Sequence, residues 1–232
     1  MQLCVFGASG PVGRAVVDRA LRAGHRVSAV TRRPDAFGLE APGLRVVGAD
    51  VMDPSQVEVA LVGAGTVISV TGVNPSRRPI STYSVGTRNV LDAMRAQGVR
   101  RIVAVSSKNL AEEGARGEPL GYRLVLGPLL RTVNRTLYED MDRMERLLRD
   151  SDRDWTVVRP AGLFAAEQVS AYRCTAGHEP GVFTSTVDLA DALVAEAVTD
   201  RPSVGAVLEV LTDAGTPSLP ALIARQASLH RR

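Results

Sequence analysis

The chain opens Met1-Gln2-Leu3-Cys4-Val5-Phe6-Gly7-Ala8-Ser9-Gly10-Pro11-Val12-Gly13-Arg14, an apolar run that ends in three glycines spaced G-x-x-G-x-x-G. A helical pattern follows at once, Ala15-Val16-Val17-Asp18-Arg19-Ala20-Leu21. Strand, tight turn and helix start in this order make an anion site. The first N–H groups of a helix lack intrahelical partners, and the macrodipole adds partial positive charge there. A pyrophosphate at that end gains hydrogen bonds and a favourable field. Gly7 lets the chain leave the strand sharply, Gly10 lets a phosphate approach the backbone, and Gly13 lets the helix lie close to the sheet. The spacing is not G-x-G-x-x-G, so the weight falls on its place directly after a strand. Gly7, Ser9, Gly10, Pro11, Val12 and Gly13 are the expected cradle; an ordinary glycine-rich turn is the bland alternative.

The rest of the chain repeats the alternation. Strand-like runs occur at 3–6, 26–30, 44–47, 66–70, 101–105 and 156–158, with helical patterns near 12–23, 54–61, 84–97 and 137–150. Apolar runs separated by helices predict an α/β fold, a doubly wound parallel sheet (Rossmann fold) with right-handed crossovers. Beyond residue 110 the pattern loosens into a polar loop at 111–119 and an apolar, arginine-spotted stretch at 120–137. Strands at 172–174 and 206–211 then flank a helix at 187–198. The expectation is one domain over 1–211 with a small C-terminal substrate-side lobe, built from about 109–136 and 160–185. A tail follows at 212–232.

Hydrophobic residues make up 45% of the 232, enough for a sizeable core, while aromatics are only 4%. A net charge of +3 is too mild to imply nucleic acid. Arginines between Arg116 and Arg159 alternate with Glu139, Asp140, Asp142, Glu145, Asp150, Asp152 and Asp154, which reads as a solvated helix face. No apolar run reaches 18 residues, so no membrane span is expected. A strand at the N-terminus argues against a signal peptide, and Cys4 and Cys174 lack metal or redox spacing. A cytoplasmic monomer or homodimer acting on a small molecule is expected, with no metal. His25, His178 and His230 form no triad or ligand pattern; His25, after Gly24 at a helix end, suits a cation there.

Further motifs fall at strand ends. The second strand leads into Thr31-Arg32-Arg33-Pro34. An acidic residue here would hold the 2′-hydroxyl of NAD, whereas arginines grip a 2′-phosphate. Arg32 and Arg33 therefore point to NADP(H). Next, Gly48-Ala49-Asp50-Val51-Met52-Asp53 offers Asp50 and Val51 to an adenine ring, with Asp53 as cap of the following helix. Val70-Thr71-Gly72 closes the fourth strand with small residues. Val105-Ser106-Ser107-Lys108 closes the fifth, where ligands lie in open α/β sheets. Ser107 is a candidate catalytic hydroxyl, with turn capping as its plain alternative.

Together Gly7–Gly13, Thr31-Arg32-Arg33, Gly48-Ala49-Asp50-Val51 and Val105-Ser106-Ser107 resemble the atypical short-chain dehydrogenase/reductases. The nearest likeness is to the NAD(P)H-binding branch with biliverdin-IXβ/flavin reductase and nitrogen-metabolite-repression (NmrA-like) regulators. Tyr138–Glu145, Asp154–Leu163 and Ser185–Ala190 are similar to that branch too, so the resemblance covers about 1–211. It implies that Pro160, Ala161, Gly162 and Leu163 lie beside the nicotinamide and that Ser107 is near the reacting ring. In one respect the chain departs from the wider superfamily, whose Tyr-x-x-x-Lys pair lowers the tyrosine pKa. Lys108 is the only lysine, and Tyr138, the candidate proton donor, has Asp142 four residues on, an anion that would raise its pKa. The implied activity is NADPH-dependent hydride transfer to a small conjugated or carbonyl acceptor such as a flavin, quinone, tetrapyrrole or pathway intermediate. The alternatives are an NADP(H)-sensing regulator without turnover and a biosynthetic tailoring enzyme.

Overall fold

Along the first strand, Cys4 and Phe6 point to one side and Leu3 and Val5 to the other, and all four are buried. Burial on both faces is the signature of a central strand in a parallel sheet. The computed structural model, which describes residues 1–76, 78–110, 124 and 127–217, bears this out. Its first half runs β1 (Gln2–Phe6), α1 (Pro11–Arg22), β2 (Arg26–Thr31), β3 (Leu44–Gly48), α2 (Pro54–Ala60), β4 (Thr66–Ser69), α3 (Thr82–Ala96) and β5 (Arg101–Val105). Its second half runs α4 (Gly127–Val133), α5 (Arg135–Arg149), β6 (Asp154–Pro160), β7 (Gly162–Phe164), β8 (Tyr172–Ala176), β9 (Phe183–Ser185), α6 (Thr186–Val198) and β10 (Ala206–Thr212).

The large sheet has the order β3-β2-β1-β4-β5-β6-β10-β8, parallel throughout except for β8, which pairs antiparallel with β10. The chain winds outward from β1 to β3, then returns to start β4 on the other side of β1. That reversal between β1 and β4 opens the crevice at the carboxyl ends of the strands. One core layer lies under α2, α3 and α5 (Val57, Met94, Met144, Leu148), the other under α1 and α6 (Val16, Val17, Leu189, Leu193).

A small second sheet pairs β7 with β9 in parallel, with Phe164 and Phe183 packed edge to face at 6.2 Å between centroids. These three-residue strands are too short to show a period, so the sequence marks only the lobe that contains them. The expected loop at 111–119, most of the 120–126 stretch and the tail from 218 lie outside the described residues.

Two expectations need correction. The α5 face is not all solvated. Arg135–Glu139 and Arg146–Asp142 are exposed i,i+4 pairs, but Asp140 and Glu145 are fully buried. Glu145 is held by Arg149 and Arg159, each at 2.6 Å. Asp140 accepts from the Tyr83 N–H at 2.8 Å and the Ser84 N–H at 3.3 Å, so it caps α3 from a different helix. At His25, burial and the neighbouring Met1 ammonium lower the pKa, which works against a cation at that helix end.

Candidate functional site

The turn after β1 is shaped by what a side chain would strike. Gly7 has φ +79°, and a Cβ there would lie 2.6 Å from the Val70 carbonyl oxygen. A Cβ on Gly13 would sit 2.2 Å from the Gly7 carbonyl oxygen and 2.7 Å from Ala8 Cα. Both glycines are thus demanded by the fold itself, one by the turn and one by the close approach of α1. Gly10 differs. It has ordinary extended geometry (φ −70°, ψ 164°), and a Cβ would meet nothing nearer than 3.5 Å. Among the described residues no side chain caps α1, and its first turn holds no acidic residue. The N-terminal donors of α1 are left for a ligand.

Gly7, Ser9, Gly10, Pro11, Val12 and Gly13 form one wall of a cleft of about 630 Å³ at the β1–β4 reversal. To one side it is lined by Thr31, Arg32, Asp50, Val51 and Met52. Arg33 lies just outside, exposed, with its N–H on Thr31 Oγ1 at 3.3 Å. Asp50 accepts from the Met52 N–H at 3.0 Å, while Asp53 accepts from Ser55 N–H at 2.9 Å and Gln56 N–H at 3.3 Å to cap α2. The Ser55 hydroxyl, which also donates to Asp53 at 2.7 Å, does most to hold its carboxyl below the ordinary pKa, and the N–H groups add to the effect. Val51 is fixed from α3, where Asn89 Nδ2 donates to its carbonyl at 2.9 Å and Gly86 leaves space for its side chain.

To the other side the cleft is lined by Val70, Thr71, Gly72, Ser106, Pro160 and Leu163. Thr71 Oγ1 and Ser106 Oγ are buried there without a partner among the described residues. Ala161 and Gly162 are not among its lining residues: the Ala161 N–H donates to Thr184 Oγ1 at 2.8 Å and the Gly162 N–H to the Val182 carbonyl at 3.0 Å, tying the second sheet to the first. Ser107 and Tyr138 are brought together next to Ser106, although neither is among the residues that line the cleft. Asn109 bridges them, its N–H on Ser107 Oγ at 3.3 Å and its Nδ2 on the Tyr138 hydroxyl at 3.1 Å. The Tyr138 pKa is raised by burial, which hydrogen bonds from Asn109 and Ser107 partly offset; Asp142, paired outward with Arg146, is not the cause.

Sequence reasoning missed Tyr83, which lines the cleft with Thr82 and Met141. Burial pushes its phenol up to about 12 against a weaker backbone hydrogen bond with Val73. The helical pattern read from residue 84 stops one residue short of it, and the cap that fixes it comes from Asp140 in a distant segment. Lys108 is buried as a strut, its Nζ donating to the Glu179 carbonyl at 2.6 Å and the Gly181 carbonyl at 2.8 Å. His178 lies 3.4 Å from Glu209 and outside the cleft.

The residues present fit a bound dinucleotide. Space stands open above Gly10, the α1 donors are unclaimed, and two orphaned hydroxyls sit in the wall where polar ligand atoms can satisfy them. Among the described residues no group of three or more His, Cys, Asp or Glu side chains is placed to hold a metal, and no helix is long and apolar enough to cross a membrane.

Comparison with known proteins agrees. An uncharacterised protein of Mycobacterium tuberculosis is 31% identical over 165 residues, which is 71% of this chain and 15% of that protein. The chain therefore spans only a small part of that relative. A short-chain dehydrogenase/reductase of Veillonella parvula solved with NADP superposes with a TM-score of 0.76 at 15% identity, covering 94% of this chain and 99% of that one. ChuY, an anaerobillin reductase of Escherichia coli O157:H7, gives 0.74 at 23% identity over 94% of this chain and 100% of that one. The family model described as NAD(P)H-binding matches residues 7–200, and the chain belongs to that family.

Proposed function

We propose that the chain is an NADPH-dependent reductase that passes a hydride to a small conjugated or carbonyl acceptor. The observation that carries the proposal is the cleft itself. One continuous wall joins the glycine turn, Arg32, the Asp50–Met52 rim and the orphaned hydroxyls of Thr71 and Ser106. Such a wall matches a dinucleotide laid across the sheet, phosphates at α1, adenosine toward β2 and β3, nicotinamide toward β5 and β6.

The bound nicotinamide supplies the hydride; the protein's part is placement. Gly7, Gly10 and Gly13 open the backbone to the pyrophosphate. Arg32 and Arg33 take the 2′-phosphate, Asp50 the adenine amino group, and Val51 covers the ring. Ser106 and Thr71 orient the polar groups at the reacting end, and Pro160 and Leu163 limit water there. Ser107 holds an acceptor oxygen, and Tyr138, linked to it through Asn109, is the candidate proton donor. With its phenol held neutral by burial, Tyr138 acts as a hydrogen-bond donor, and acceptors that protonate readily in water suit the site. ChuY, an anaerobillin reductase by its name, is the sort of neighbour this reading expects.

The test is NADPH oxidation against a panel of flavins, quinones and tetrapyrroles. Turnover with one class supports the reading. Tight NADPH binding with no turnover on any of them favours the second reading, a cofactor-sensing protein, which the missing tyrosine–lysine pair motivates. Arg32→Ala/Arg33→Ala should weaken NADPH at least about tenfold while sparing NADH. Equal losses for both cofactors would overturn the NADP assignment.

A further inference from the structure

Arg14 stands where an arginine is out of place. It is the fourth residue of α1, its N–H closing the first turn on the Gly10 carbonyl at 2.9 Å. A positive charge at a helix N-terminus opposes the macrodipole. It is exposed, and among the described residues no carboxylate pairs with it. Its guanidinium instead lies 4.8 Å over the centroid of the Phe37 ring. Phe37 is 2% exposed and ends the short turn Pro34–Ala36 that follows Arg32 and Arg33. A cation held by an aromatic face keeps its hydrogen-bonding edge free, because the ring engages the flat face of the guanidinium.

We propose that Arg14 is a specificity-determining residue: the third cation of a phosphate clamp with Arg32 and Arg33, positioned by Phe37. The ring links the first turn of α1 to the loop after β2, so that Arg14 reaches the 2′-phosphate from the helix side while Arg32 and Arg33 reach it from the strand side. The cost of putting a cation against the dipole is then offset whenever the phosphate is bound. This rests on the NADPH reading above and adds to it a residue outside the strand-end pair.

Binding of 2′,5′-ADP and of 5′-AMP, measured by calorimetry, separates the roles because the two differ only by the 2′-phosphate. Arg14→Ala should weaken 2′,5′-ADP about tenfold and leave 5′-AMP unchanged. Phe37→Leu, which frees the guanidinium without removing it, should give about a threefold loss on the same ligand alone. Unchanged 5′-AMP affinity reports that each variant is folded. Equal weakening of both ligands would place Arg14 on the common phosphate and overturn the proposal, as would no change in either. If wild-type protein binds 2′,5′-ADP no better than 5′-AMP, the NADP reading fails first; if it does, and only Arg32→Ala/Arg33→Ala removes the preference, that reading survives and the role of Arg14 does not.

Discussion

The two ends of the cleft are built from different materials. At the α1 end the surface is backbone, and its shape is set by steric exclusion: Gly7 and Gly13 are forced by contacts of 2.6 and 2.2 Å that any Cβ would make. At the other end the surface is side chains, with two unpartnered hydroxyls, the buried Tyr83 phenol and the rim of a small separate sheet, and with Tyr138 close by. Backbone geometry can bind one kind of ligand and little else. Side chains on loops can be exchanged without disturbing the sheet. The difference teaches why cofactor binding is easily recognised in such a chain while its acceptor is not.

The sharpest way to break this comparison is to add one methyl group at two places in the same turn. Gly13→Ala drives a Cβ into the Gly7 and Ala8 backbone, neither of which can move without shifting β1 or α1. We expect a loss of about 3 kcal/mol in stability and no measurable NADPH binding. Gly10→Ala has room within the protein and a φ that alanine adopts freely, so its melting temperature should stay near wild type while NADPH affinity falls by about a hundredfold. If Gly10→Ala binds normally, the turn is not a phosphate cradle.

A smaller effect is expected at Asp140. Its fully buried carboxylate receives the Tyr83 and Ser84 N–H groups and pairs with Arg143 at 3.2 Å, although Arg143 is itself half exposed. Asp140→Ala leaves the start of α3 uncapped and its buried donors unmet, which costs about 2 to 3 kcal/mol by thermal or urea unfolding. Because α3 also carries Thr82 and Tyr83 into the cleft wall, NADPH binding should weaken in the same variant. A stability loss with unchanged binding would show that the α3 side of the wall contributes only structure.

How far the sequence carried each of these features follows from how local its cause is. The glycine turn, the β2-end arginines and the Asp53 cap depend on neighbours within a few residues, and each is legible as a string. Burial of Leu3, Cys4, Val5 and Phe6 on alternate faces needs only the period of a strand between two helix layers. Tyr83 is different, because its environment is set by Asp140, 57 residues away in sequence. The same holds for Lys108, whose carbonyl partners lie 71 and 73 residues on. The β7–β9 pair is three residues a side and joins segments on either side of β8, so no local pattern announces it. The acidic run of α5 misleads for a related reason. Spacing shows which residues share a helix face, but Asp140 and Glu145 are buried by what packs on that face.

The mildest prediction concerns the phenols and bears on what the side-chain end can do. Tyr83 has an ordinary pKa of 10.0 and is pushed up to about 12 in the folded protein, mainly by burial. The folded state therefore holds this proton more tightly than the unfolded chain. Below pH 10 both states carry it, and the stabilisation is fully present. Between about pH 10 and 12 the unfolded chain ionises while the folded one does not, so stability falls by up to about 1.4 kcal/mol per pH unit from this group. Burial raises the Tyr138 pKa too, and its contribution has the same sign. Tyr83→Phe should flatten the alkaline limb of a stability profile and change little at neutral pH, beyond the backbone hydrogen bond with Val73. By the same logic, NADPH oxidation should show no phenol ionisation between about pH 6 and 9. A limb in that window that disappears in Tyr83→Phe or Tyr138→Phe would mean that a bound dinucleotide lowers a phenol pKa that burial alone has raised. The side-chain end would then resemble the tyrosine–lysine enzymes in function without their lysine.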